Sequence, residues 1–113
     1  MLDTRVSLYV PSTNNISEST STQEFNNRSL EIGKKFGQWF GGFTITEANG
    51  GWLTDNGDLV VESVKIVSSY TDKAGLADHM AQVRELAESK RTEWSQEAIS
   101  LEVVEIKGGL DFI

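Results

Sequence analysis

Two helices on one face of a four-stranded antiparallel sheet is the α+β fold that this sequence predicts, and three observations lead to it. Short segments with apolar residues at every second position recur along the chain. Two longer segments repeat apolar residues at steps of three and four. Clusters rich in Gly, Asn, Asp, Ser and Thr separate them in the order strand, helix, strand, strand, helix, strand.

In the first strand Val6, Leu8 and Val10 alternate with Ser7 and Tyr9, and Pro11 ends it because proline cannot donate to a sheet ladder. Residues 12–22 are dominated by Ser and Thr, too polar to pack, and read as a long first loop. Ser21-Thr22-Gln23-Glu24 fits a capping box and starts a helix whose stripe is Phe25, Ile32, Phe36, Trp39 and Phe40. Gly33, Gly37 and Gly41 make a bare stripe on that helix, which implies close approach by a strand or another chain. Gly41-Gly42 stops it.

Phe43 and Ile45 open the second strand. Ala48-Asn49-Gly50-Gly51 and Asp55-Asn56-Gly57-Asp58 then read as turn-forming clusters, giving one antiparallel hairpin with an elaborate tip. Leu59 to Tyr70 is the third strand. Asp72 caps a second helix with Leu76, Met80, Val83 and Ala87 on its buried side. Ile99, Leu101 and Val103 form the fourth strand.

This order is that of the ferredoxin-like split βαβ unit, and right-handed crossovers put both helices on one sheet face. Residues 1–107 form the single domain and 108–113 a short tail. In the third strand Val60, Val64 and Ile66 have one parity while Leu59, Val61 and Val67 have the other, so apolar residues are left for the open face. A homodimer through that face is the expected cover.

Composition removes many functions. The chain has 113 residues, no Cys and one His, His79, which excludes disulfides, thiolate nucleophiles and most transition-metal sites, so no metal or cofactor is expected. A net charge of −7 is opposite to the basic footprint that phosphate neutralisation needs, which argues against direct nucleic acid binding. The acidic residues of the second half are interleaved with Lys73, Arg84, Lys90 and Arg91, as on a solvated helix. No secretory signal or membrane-spanning run is present, so a cytoplasmic location in a bacterial or infected host cell is expected and no membrane contact.

Leu8-Tyr9, Phe25, Phe36, Gly42-Phe43-Thr44, Gly51-Trp52, Glu62 and Gln96-Glu97 resemble the landmarks of a family of small bacterial proteins known only as a domain of unknown function. The resemblance spans about residues 8 to 103. It implies a ferredoxin-like or dimeric α/β-barrel fold and brings no activity. Gly41-Gly42 departs from the family by standing where a proline-containing turn is usual. Small acidic proteins of this kind also resemble the products of phages and other mobile elements.

Glu62 shares parity with Val60, Val64 and Ile66, which aims a carboxylate into an aliphatic layer, and the topology puts Gln96 and Glu97 within reach of it across the sheet. Glu62 and Glu97 are therefore the weak catalytic candidates as acid and base. Each has an ordinary alternative as a turn cap or ion-pair partner. Trp52, beside two glycines, suits a pocket rim or an interface, and Tyr9 with Gln96 completes the candidate ligand- or partner-binding set. Trp39 reads as core and His79 as a solvent-facing or satisfied histidine.

The leading reading is a non-enzymatic binding or regulatory module. Its specific form is a phage or mobile-element factor that counters host defence by binding a host protein or sequestering a small nucleotide-like ligand. The alternatives are a small cofactor-independent enzyme using Glu62 and Glu97, and a structural assembly subunit.

Overall fold

A computed structural model describes residues 1–15 and 18–113; Ile16 and Ser17 of the Ser/Thr-rich segment lie outside the described residues. The elements are β1 (Leu2–Pro11), β2 (Thr13–Asn14), β3 (Glu18–Ser19), α1 (Thr22–Phe40), β4 (Thr44–Leu53), β5 (Leu59–Thr71), α2 (Lys73–Glu93) and β6 (Leu101–Leu110). The main sheet is antiparallel in the order β4-β5-β1-β6, the ferredoxin-like arrangement of an α+β domain. Among the described residues, no helix is long and apolar enough to cross a membrane.

Alternation in β1 decides which face is covered. Val6, Leu8 and Val10 are fully buried and meet Val67 of β5, Ile32 and Phe36 of α1, and Val83 and Ala87 of α2 in one cluster. Both helices therefore lie on the same side of the sheet. The Ser21 hydroxyl accepts from the Glu24 amide at 3.1 Å to start α1, and Gly41, at φ 92°, ends it. Asp72 accepts from the Gly75 amide at 2.8 Å to start α2.

Three elements differ from expectation. The segment after Pro11 is more than a loop: β2 and β3 pair as Thr13 with Ser19 and Asn14 with Glu18. Ala48-Asn49-Gly50-Gly51 is strand, because Asn49, Gly50 and Gly51 face Ser63, Glu62 and Val61 in the ladder, and the turn is confined to Thr54–Asp58. The last strand runs on to Leu110, which pairs with Leu2 after a register shift. Gly108 and Gly109 take up that shift at φ 88° and 71°, a backbone region that other residues seldom adopt.

The open face mixes polar and apolar residues, and Val60, Val64 and Ile66 of β5 lie on it. Around its centre stand Ser7, Tyr9, Thr44, Thr46, Ser68 and Tyr70 with the aliphatic Ile66 among them, and the Ser7 and Ser68 hydroxyls bond each other at 2.7 Å in a buried position. Further exposed apolar residues sit at the far end of the hairpin. β5 pairs with β1 only as far as Val64, opposite Pro11, whereas its ladder with β4 continues to Leu59 opposite Leu53. Beyond Val64 the hairpin is a two-stranded arm, on which Leu53, Leu59 and Val61 are 68%, 69% and 60% exposed. Leu59, Val61 and Val67 do share one parity, but of the three only Val67 is buried in the core between sheet and helices.

Candidate functional site

The arm carries one wall of a concavity of about 520 Å³, lined by Asn15, Trp52, Glu62, Ser95, Gln96, Glu97 and Ala98. Trp52 faces Val60 and Glu62 faces Gly50 in the β4–β5 ladder, so the indole and the carboxylate are diagonal neighbours on one sheet face. Gly50 has no side chain to crowd Glu62. The second wall is the connection between α2 and β6. It begins at Trp94, which is 3% exposed, and turns at Ser95, whose φ of 52° is left-handed.

Trp94 fixes this connection because cations flank its ring. The Arg28 guanidinium lies 4.9 Å and the Lys90 ammonium 5.7 Å from the ring. Gln96 donates from Nε2 to the carbonyls of Thr13 at 2.8 Å and Trp94 at 2.9 Å. Both partners are pure acceptors, which identifies the contacting atom as nitrogen, commits both amide hydrogens, and leaves Oε1 as the acceptor for a ligand. Thr13 also donates its hydroxyl to Glu62 Oε2 at 3.2 Å.

Of the residues singled out by sequence, Trp52, Glu62, Gln96 and Glu97 thus line one concavity. Glu97 reaches it from a connection and not from a strand opposite Glu62, because β6 flanks β1 and β5 lies on the other side. Tyr9 is on the same sheet face but lines the shallower depression over Ser7 and Ser68. Trp39 packs on the core and stacks with His79 at 6.3 Å, and His79 bonds Gln82 at 2.7 Å. Thr13, Asn15 and Ser95 were missed. Their signal, if any, is the Asn14-Asn15 pair in the Ser/Thr-rich segment, where Asn15 takes φ 56°.

Electrostatics give the concavity a sign. Its described lining holds two carboxylates and no Lys or Arg, so it favours a cation and disfavours phosphate. A separate hollow of about 280 Å³ near Phe25 contains Lys65, but that ammonium is 7% exposed and bonded to Asn26.

No protein-family model matches the chain, and no curated protein does. Solved structures do. A phage SAM lyase in complex with S-methyl-5'-thioadenosine superposes with a TM-score of 0.64 at 18% identity, covering 91% of this chain and 81% of that one. A phage SAM lyase in its apo state gives 0.64 at 19% identity, covering 92% and 81%. The likeness is one of fold.

Proposed function

We propose that this chain is a phage-type ligand-binding protein that takes S-adenosylmethionine, or its thioether product, into the Trp52–Glu62–Gln96–Glu97 concavity. In doing so it withdraws a methyl donor from host defence. The observation that carries this reading is the convergence of one exposed indole, two amides and two carboxylates on a cavity of about 520 Å³, within the usual size range of small-ligand sites.

Each group has a task. Adenine stacks on Trp52. Gln96 Oε1 accepts from the exocyclic amine of the base. Glu62 and Glu97 face the sulfonium and the α-ammonium of S-adenosylmethionine, two positive charges that a nucleoside phosphate and the neutral thioether product both lack, so the product is held by the Trp52 and Gln96 contacts alone. The fold shared with a phage SAM lyase that was solved with S-methyl-5'-thioadenosine supports the same ligand class.

The fold likeness to a lyase, together with two carboxylates on one concavity, favours turnover as a second reading. When the carbon–sulfur bond breaks, its electron pair leaves with sulfur as a neutral thioether. The carbon fragment then loses a proton or is captured by an internal nucleophile, and Glu62 or Glu97 is the base for the first course.

One experiment separates these readings. The full chain is titrated calorimetrically with S-adenosylmethionine, and the mixture is then chromatographed for S-methyl-5'-thioadenosine. Binding with no product supports sequestration, and binding with product supports the lyase. Adenosine triphosphate is expected not to compete. Failure to bind either thioadenosine compound overturns the reading.

A further inference from the structure

We propose that Thr13 and Arg28 are positioning residues that set Glu62 and Gln96 together. This inference rests on the functional reading of the concavity given above. Thr13 is the hub. Its hydroxyl donates to Glu62 Oε2 at 3.2 Å, and its carbonyl accepts from Gln96 Nε2 at 2.8 Å. The two ligand-facing groups come from distant parts of the chain, and a single residue holds both.

Arg28 holds the hub. Its guanidinium is 2% exposed and donates from Nη1 to the carbonyls of Pro11 at 3.0 Å and Thr13 at 2.9 Å, and from Nη2 to Asn14 Oδ1. It also lies 4.9 Å from the Trp94 ring, so the same cation reaches the connection that carries Gln96. Burying a guanidinium on the core-facing side of a helix carries a desolvation cost that a Leu or Met there would not. The arrangement uses the planar fork of donors to fix carbonyl positions on a short polar hairpin, which a point charge cannot reproduce. Thr13 itself is 7% exposed, and its hydroxyl and carbonyl are directed at the two sides of one cavity.

The consequence is a division of effects. Thr13→Val keeps the shape and the carbonyl, and so frees Glu62 alone. Thr13→Ser keeps the hydroxyl. Arg28→Lys keeps the charge but loses the fork, and so releases the carbonyl that Gln96 uses.

Calorimetric titration with S-adenosylmethionine is expected to show affinity about tenfold weaker in Thr13→Val and restored to within about twofold in Thr13→Ser. Folding is checked by circular dichroism. A second readout needs no ligand: the side-chain amide resonances of Gln96, assigned by their loss in Gln96→Ala. They are expected to move towards the position of a free glutamine in Arg28→Lys and to stay in place in Thr13→Val. Wild-type affinity in Thr13→Val, or unmoved Gln96 resonances in Arg28→Lys, overturns the proposal. If the wild-type chain binds no thioadenosine compound, the ligand reading falls, and the Gln96 resonances still decide whether Arg28 positions the site.

Discussion

The ring of Phe43 occupies the space that a side chain on Gly33 would need: a Cβ built at Gly33 would stand 2.6 Å from Phe43 Cε2. Gly33 and Gly37 of the bare stripe on α1 therefore seat the residue just before β4. Gly33→Ala is expected to destabilise the fold by up to about 2 kcal/mol, the cost of moving the ring from its seat less the helix preference of alanine. In a Phe43→Ala background the same change should be neutral or stabilising by up to about 1 kcal/mol, the helix preference of alanine over glycine. Urea denaturation of the four chains in this cycle checks it, and equal effects in both backgrounds would refute the contact.

The buried hydroxyl pair of Ser7 and Ser68 gives a second cycle. Ser68→Ala leaves the Ser7 hydroxyl without its partner and is expected to cost about 1–3 kcal/mol. The double variant Ser7→Ala, Ser68→Ala should cost less than the sum of the single changes. Chemical denaturation measures both.

Trp52 is 41% exposed, so its removal should be felt in binding more than in stability. Trp52→Ala is expected to weaken S-methyl-5'-thioadenosine binding about tenfold or more, and Trp52→Phe much less. The thermal midpoint should stay within about 2 °C of wild type. Unchanged affinity in Trp52→Ala would remove stacking from the site.

Lys90 sets a pH dependence. Burial, the largest single influence, pushes its ammonium down, but hydrogen bonds and charges from Glu31 and Glu93, each 2.6 Å away, outweigh it and hold the value above the ordinary 10.5. A value raised in the folded state adds stability in full below the unfolded value and loses it as pH rises through the folded one. The urea midpoint of the wild type should therefore fall more steeply between about pH 9 and about pH 12 than that of Lys90→Met. Parallel slopes would show that the two carboxylates do not hold Lys90.

Much of the fold was legible because its signals are local. Alternation in β1, the Ser21 and Asp72 caps and the stop at Gly41 each depend on a few adjacent side chains. Pairings between distant segments were less legible. Asn49-Gly50-Gly51 has turn composition, yet Ser63, Glu62 and Val61 hold it in a ladder. Arg28 falls on the apolar stripe of α1, but its residue type argues against burial and nothing local shows its acceptors, Pro11, Thr13 and Asn14, which only the tertiary fold brings to it. The site divides in the same way. Trp52, Glu62, Gln96 and Glu97 are conspicuous by residue type, whereas Thr13 is one of many Ser and Thr residues in its segment.

The central strand also constrains the order of assembly. Leu8 pairs with Val67 on one side and Leu101 on the other, so β1 is synthesised long before either neighbour. During translation its unpaired amides and its Val6, Leu8 and Val10 side chains must wait for distant sequence to emerge, whereas the β4–β5 hairpin can close locally. Folding dominated by such remote pairings is slow. A nascent chain of this topology is thus exposed to premature association through β1 until β5 arrives, and a chaperone that shields extended apolar segments would act there first.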